Sequence, residues 1–270
     1  HAFKYDISAN LSTLKNKVTS LGFGTKSYIT GAYATYVGQE IGQFYGWVYK
    51  GIARTQDDLD NNAVQQGANI GDCLYEDISG PDGTPDGVID AYDQTVLGSG
   101  LPKVNFGLST HMEYKGFDLN ISTYGVLNYH VTDDIYNSLN SCYGYGNKDV
   151  AMLDANRWSE DGSTYLSNVP RTYAANNATL GWNDLFSSRK IQNAAYWKIA
   201  NVELGYNFPD KWFGGYVSGV RLYVSAQNLY TFTGYHGYNV DYAGGTFTPG
   251  YNFCSFPSAR TFMCGLHFTF

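Results

Sequence analysis

Hydrophobic and polar residues alternate along most of this chain, and a period of two predicts strands rather than helices. Phe3, Tyr5, Ile7, Ala9 and Leu11 share one face, and Lys4, Asp6, Ser8, Asn10 and Ser12 the other. From Val104 one face carries Val104, Phe106, Leu108, Thr110, Met112 and Tyr114, and the other Asn105, Gly107, Ser109, His111 and Glu113. Lys115-Gly116 then turns the chain into Phe117, Leu119, Ile121 and Thr123 against Asp118, Asn120, Ser122 and Tyr124. That is a hairpin in register, apolar on one face. The pattern returns at Val202, Leu204, Tyr206 and Phe208, and at Val220, Leu222, Val224 and Ala226. It closes with Phe262, Cys264, Leu266, Phe268 and Phe270 against Met263, Gly265, His267 and Thr269. Weaker strands are predicted over 27–36 and 41–51, for roughly eight strands of about ten residues.

The connections between these strands differ in length. Short ones fall near 37–40, 115–116 and 209–219, and long ones near 13–26, 52–102, 129–193 and 233–258. Short turns at one end and long loops at the other predict an all-β fold, a transmembrane antiparallel β-barrel with long extracellular loops. A soluble β-sandwich also alternates, but its strands are shorter and its loops rarely reach such lengths. In a barrel, Phe262, Leu266, Phe268 and Phe270 face lipid, and His267 and Thr269 face the lumen.

Composition sharpens this picture. The 270 residues include 25 Tyr, 15 Phe, 5 Trp and 31 Gly, while charged residues make up only 15%. Tyrosine excess suits the aromatic girdles at the two membrane interfaces, and disordered chains show the opposite bias. A net charge of −7 with no Lys/Arg cluster argues against a nucleic-acid partner. No apolar stretch approaches the ~20 residues that a membrane helix needs. The chain opens at His1 without a signal-peptide pattern, which leaves a mature product and an excised fragment both open.

The sharpest local motif runs from Asp82 to Asp93 and reads D-x-T-x-D-G-x-I-D-x-x-D. Calcium loops place oxygen ligands at positions 1, 3, 5, 7, 9 and 12 with glycine at 6. Here those positions are Asp82, Thr84, Asp86, the Val88 carbonyl, Asp90 and Asp93, with Gly87 at the turn and Ile89 as an apolar anchor. Thr84 and the short Asp93 side chain are weaker ligands than the usual residues, and a solvated loop of Asx-turns is the alternative. No catalytic motif such as GxSxG, HExxH or a P-loop occurs. His111, Glu113, Asp118 and His267 are expected as wet lumen residues rather than acid/base groups. The loop aromatics Tyr143, Tyr145, Trp182, Tyr235 and Tyr238 are candidates to stack on cargo, whereas Trp158 reads as loop packing. Cys73, Cys142, Cys254 and Cys264 show no CxxC pair, and unpaired thiols are the simplest reading.

Several segments, in order along the chain, resemble the SusC/RagA family of TonB-dependent outer-membrane transporters. Val37 to Gly46 (VGQEIGQFYG) is similar to the family's VGxPIGxFYG, with Glu40 in place of proline. Gly98 to Gly107 (GSGLPKVNFG), Tyr114 to Leu119 (YKGFDL), Asp134 to Asn137 (DIYN) and the pair Arg157-Trp158 with Pro170-Arg171 match further segments. So do Ala195 to Tyr206 (AYWKIANVELGY) and Arg221 to Thr233 (RLYVSAQNLYTFT). The family's DxNGDGxID segment coincides with the acidic loop. The resemblance implies that residues 1–270 are the C-terminal portion of a 22-stranded barrel, whose plug domain lies outside this chain. It also implies energy delivered through TonB, a SusD-like surface lipoprotein over the loops, the remainder of the barrel as neighbour, and oligosaccharide or peptide cargo. The partner lipoprotein is expected to meet loops 52–102, 129–193 and 233–258. A small stand-alone barrel with adhesive loops and an outer-membrane hydrolase are the competing readings.

Overall fold

The computed structural model describes residues 3–22, 24–142, 147–150, 157–159, 167–172, 181–213, 217–241, 244–253 and 255–270. Strand β1 (Lys4–Thr13) opens the main sheet. A long excursion follows, holding β2 (Ser27–Thr30), β3 (Tyr33–Tyr36), β4 (Gln43–Gly46), β5 (Tyr49–Ile52), α1 (Gln56–Asp60), β6 (Cys73–Tyr75) and β7 (Thr95–Ser99). The main sheet resumes with β8 (Val104–Tyr114) and β9 (Phe117–Leu127). A second excursion carries β10 (His130–Asp133), α2 (Asp134–Leu139) and β11 (Gln192–Asn193). Then come β12 (Tyr196–Phe208), β13 (Gly219–Thr233), β14 (Tyr251–Asn252) in a third excursion, and β15 (Thr261–Thr269).

The long strands form one antiparallel wall in the order β1-β8-β9-β12-β13-β15. The wall therefore holds six strands among the described residues, not the eight expected. Residues 27–36 and 41–51 form four-residue strands instead, in a separate β2-β3-β4-β7 sheet and a β5-β6 pair. Four residues reach only ~13 Å, too short to cross the hydrocarbon layer. Six is even, as eight was, so Lys4, the 115–116 turn, the 209–218 turn and Phe270 still share one end. All three long excursions leave from the other end.

Register decides the faces. Ile7 lies opposite Thr110, Thr110 opposite Ile121, Ile121 opposite Val202, Val202 opposite Ala226 and Ala226 opposite Phe262. Opposed residues share a face, so a continuous apolar face spans all six strands. It is also open: Ile7, Leu204, Val224 and Leu266 are 60%, 44%, 51% and 58% exposed. Six strands about 4.8 Å apart and about 30 Å long present roughly 850 Å² of such face. Soluble monomers rarely leave more than a few hundred Å² uncovered, so this face needs lipid. On β15, Phe262, Leu266 and Phe268 lie on it, while His267 pairs with Arg221 on the opposite, polar face.

Aromatic rings border the apolar face at both ends. Near the short turns Phe117, Tyr206, Phe208 and Trp212 form a chain of ring contacts at 4.7–5.8 Å. Near the long excursions Trp197 stacks on Phe232 at 5.4 Å and Phe232 meets Tyr230 at 4.7 Å. Trp197 and Tyr206 lie about 30 Å apart along β12 at ~3.3 Å per residue. A strand tilted by about 40° turns that into a band close to the ~25 Å height of outer-membrane barrels.

Placing Trp197 outward requires a break in the alternation. Counting back from Val202 by twos would point Trp197 inward and Lys198 into lipid. Instead Ile199 and Asn201 stand opposite the adjacent Thr123 and Ser122 of β9, so Ala200 is the extra residue of a bulge against β9, and β13 in turn sets Asn228 and Leu229 opposite it. Lys198 thereby joins Tyr124 on the polar face. At the other end, Lys115 and Gly116 both take positive φ (49° and 88°), as a two-residue hairpin turn of the primed type requires.

Candidate functional site

The polar face and the loops folded over it make up the candidate site. Close to the short turns the polar face is a cross-strand network. Lys4 Nζ donates to Glu113 at 3.1 Å, His111 Nε2 lies 3.1 Å from Glu113, and His111 Nδ1 lies 2.7 Å from Asn120 Oδ1. Arg221 reaches across β12 to Asp118, with Nε donating at 3.0 Å, and also donates to Glu203 at 2.7 Å. Asn207 Nδ2 donates to Asp118 at 2.9 Å, and Arg221 stacks 5.3 Å from the Tyr223 ring. Gly205 is what admits this pairing, since a β-carbon there would sit 2.5 Å from both Arg221 Nη2 and Asp118 Oδ2. Of the four residues weighed for acid/base work, three are engaged in these ion pairs and hydrogen bonds, and His267 lies opposite Arg221.

At the opposite end the polar face becomes apolar and is covered. Val126 and Tyr196 face inward in register with each other and are buried against Tyr129, Val131, Ala194, Tyr235 and Val240. The excursions thus lean over the lumen side of the wall instead of projecting away from it. Lys198, almost fully buried, forms an ion pair with Asp241 at 2.5 Å, and Tyr124 donates to the same carboxylate at 3.3 Å. Asp133 caps α2 through Tyr136 N at 2.9 Å, while its other oxygen accepts from the Tyr235 hydroxyl and from Asn252 Nδ2. Tyr235→Phe should leave that buried carboxylate short of a donor and cost about 1–3 kcal/mol. The check is the thermal midpoint of the intact protein in detergent.

A second nexus joins the first excursion to the second. Buried Asp72 receives Arg171 Nε and Nη2 at 2.7 and 2.8 Å and Asn183 Nδ2 at 2.8 Å. Asn183 Oδ1 in turn accepts from Cys73 N at 2.7 Å. Trp158 and Pro170 are buried beside it, so the Arg-Trp and Pro-Arg segments are loop packing. Glu40, which stands where the family has proline, pairs with Lys103 and ties the two matching segments together.

The predicted cargo-stacking aromatics are not brought together. Trp182 packs on Tyr75 at 6.2 Å and donates Nε1 to the Gln66 carbonyl, and Tyr235 is buried in the Asp133 network. Tyr238 is 64% exposed and lines a cavity of about 140 Å³ with Lys198 and Asp241. Tyr143 and Tyr145 lie outside the described residues. Lys198 and Asp241 escaped the sequence reading because only the bulge turns Lys198 inward. Among the cysteines, Cys73 and Cys142 are buried unpaired thiols and Cys264 an exposed one, with Cys254 outside the described residues. Burial pushes the Cys73 thiol up to about 12, which keeps it protonated.

The acidic loop is held by its own backbone. Asp93, fully buried, accepts from Ile78 N at 2.8 Å, Ser79 N at 3.2 Å and Asp90 N at 2.8 Å. Asp90 accepts from Tyr92 N at 2.7 Å, and Asp86 from Val88 N at 3.0 Å. Ile89 anchors the loop against Cys73 and Tyr75. Among the described residues no three acidic or imidazole side chains converge as metal ligands. A calcium ion bound by Asp82, Thr84, Asp86, Val88, Asp90 and Asp93 stays a proposal, since a carboxylate oxygen that accepts a backbone N–H keeps a lone pair for a cation. If a cation sits in this loop, EDTA should lower the thermal midpoint by several degrees, and an unchanged midpoint would remove it.

His130 adds a pH dependence to the cap. Burial, then the neighbouring Lys103 charge, hold its imidazole below the usual value of 6.5. The unfolded chain therefore binds the proton more readily, so the stability from neutral His130 is present above pH 6.5 and falls as pH drops below it. His130→Gln should flatten that part of a stability–pH profile measured by thermal unfolding.

No family model matches the chain. It is 29% identical over 286 residues to TonB-dependent receptor P3 of Formosa agariphila, covering 99% of this chain and 27% of that protein. It is 25% identical over 285 residues to TonB-dependent receptor SusC of Bacteroides thetaiotaomicron, covering 99% of this chain and 24% of that protein. The chain therefore spans about a quarter of the length of the curated relatives it matches. Among solved structures, the RagAB peptide transporter superposes with a TM-score of 0.76 at 22% identity, over 98% of this chain and 26% of that one. The RagAB peptide importer in its closed-closed state gives 0.75. The motif-level resemblance and the barrel-wall fold both agree with these matches.

Proposed function

We propose that this chain is the C-terminal wall and loop cap of a TonB-dependent outer-membrane receptor of the SusC/RagA family, which imports a nutrient too large to diffuse through porins. The single observation that carries the reading is the two-faced six-stranded wall with its loops folded over the polar face. An outward apolar face between two aromatic belts is a lipid surface, and an inward polar face is a wet lumen. The chain's role is passive: it forms wall, rim and part of the binding surface. The remainder of the barrel supplies the partners for the free edges of β1 and β15, which would otherwise be exposed pairing templates. The plug and its contact with TonB belong to that remainder. A SusD-like lipoprotein covers the long excursions, and oligosaccharides or peptides are the cargo. No reaction is catalysed.

The test is purification of the native protein from outer membranes in mild detergent. The reading expects a polypeptide several times longer than 270 residues, a co-purifying lipoprotein, and uptake that stops when the proton-motive force is dissipated. A polypeptide of 29.9 kDa that folds alone in detergent would replace it with a stand-alone barrel.

A further inference from the structure

Where β1 leaves the apolar layer, the chain is basic. Residues 7–39 hold Lys15, Lys17 and Lys26 and no Asp or Glu, in a chain whose net charge is −7. The lipid-side row of β1 runs Ile7, Ala9, Leu11 and Thr13, and Leu11 shares a cross-strand row with Trp197 of the outer aromatic belt through Phe106 and Gly125. Leu14 N donates to the Lys103 carbonyl at 2.9 Å, which carries the pairing one residue past β1. Asn16 then turns toward the cap and accepts from Ile41 N at 3.0 Å, while Lys15 and Lys17 on either side of it are exposed, so the lipid-side row continues into two lysines. The fold brings exposed Lys26 close to them. Val18 N donates to the Gln39 carbonyl at 2.8 Å and Gly38 N to the Val18 carbonyl at 2.8 Å, while Val37 N donates to the Lys26 carbonyl at 2.9 Å. Residues 37–39 thus lie between Lys17 and Lys26, with the Lys17 stem beside Gly38. None of the three ammonium groups has an ion pair or hydrogen bond with a described residue. The flanking carboxylates are placed elsewhere, Asp6 on the polar face and Glu40 in its pair with Lys103.

Height and charge together say what such a patch meets. Lys15 stands about 13 Å along the strand past Leu11, which a tilt of about 40° makes roughly 10 Å of height. That is the level of the headgroups just above the hydrocarbon layer, and a lysine stem lies along apolar surface while its ammonium reaches for them. Continuity with the lipid face and a charge opposite to phosphate favour a lipid over a soluble anion or an acidic protein. We propose that Lys15, Lys17 and Lys26 form a docking patch for the phosphorylated headgroups of outer-leaflet lipids, whose acyl chains lie along Ile7, Ala9 and Leu11. Each lysine near a charged surface contributes about fivefold in affinity, and salt screens the effect. The proposal rests on the barrel reading above and adds where on its rim lipid is recognised.

The experiment uses the intact receptor in a neutral detergent at low salt and measures, by native mass spectrometry, binding of diphosphorylated lipid A and of the same lipid with both phosphates removed. The phosphorylated lipid should bind at least about tenfold more tightly. Lys15→Gln, Lys17→Gln and Lys26→Gln together should abolish that preference, and the three Lys→Arg replacements, which keep the charge, should retain it. Lys211→Gln, at the short-turn end of the wall, should leave it unchanged. Equal binding of the two lipids, or a preference that survives the triple glutamine variant, would overturn the patch and leave the barrel standing. Displacement of the lipid by an equal concentration of inorganic phosphate would overturn it in favour of a free-anion site. Loss of a co-purifying protein from the triple glutamine variant, with the lipid preference intact, would make it a protein interface instead. A receptor that stays soluble without detergent would strike the barrel reading itself.

Discussion

Val202→Arg should destabilise the barrel by about 2–4 kcal/mol, the cost of a guanidinium near the midplane of a lipid-facing strand. Val202 sits on the apolar face between Ile121 and Ala226, midway between the Trp197 and Tyr206 belts of β12, and is half-exposed. Lipid is the only solvent that makes that exposure favourable. Ser8→Arg, on the polar face of β1, supplies the control. Its side chain points to the wet lumen, so its cost should stay within about 0.5 kcal/mol. Urea unfolding of the intact protein in lipid vesicles, followed by tryptophan fluorescence, reads both. Equal costs for the two variants would show that the apolar face is covered by protein and not by lipid.

Gly205→Ala should cost up to about 3–5 kcal/mol, the loss of a buried ion pair. The added methyl would occupy the place of the Arg221–Asp118 contact, 2.5 Å from Arg221 Nη2 and Asp118 Oδ2. Asp118 is 5% exposed, so separating the pair leaves a buried carboxylate without its cation. Arg221 also holds Glu203, and Asn207 shares Asp118, so one displacement loosens three strands. A double-substitution cycle with Asp118→Ala isolates the cause. Once Asp118 is gone the methyl has room, and the two costs should fall well short of additivity. Additive costs would mean that Gly205 serves backbone geometry instead.

How much of this was legible in the sequence varies from element to element. Strands β8, β9, β13 and β15 follow their alternation closely, and the Lys115-Gly116 turn stands where the pattern placed it. Those features are local, because a strand half in lipid and half in water must alternate whatever its neighbours do. The strands over 27–36 and 41–51 were misplaced for the same reason: alternation gives the faces of a segment but not the sheet it joins. The cargo-stacking aromatics fared similarly. Composition shows that tyrosines crowd the excursions, yet only packing separates exposed Tyr238 from Tyr235, whose hydroxyl is spent on Asp133. In the acidic loop the spacing is legible in the sequence, and only the structure shows that Asp90 and Asp93 also accept from backbone N–H groups.

The sequence by itself determined the all-β class, the apolar and polar faces of the long strands, the end at which the long connections lie, and the likeness to TonB-dependent transporters. Each of these rests on residue order within single segments or on the lengths of chain between them, where periodicity and turn chemistry act without distant contacts. The tertiary structure alone decided that six strands build the wall, that Ala200 bulges out of β12 to turn Trp197 toward lipid and Lys198 toward Asp241, and that Lys26 joins Lys15 and Lys17 at the outer rim. A bulge exists only relative to the strands on either side, and a patch only relative to the segments that meet there. Both are products of pairings between residues far apart in the chain, and no local pattern encodes them.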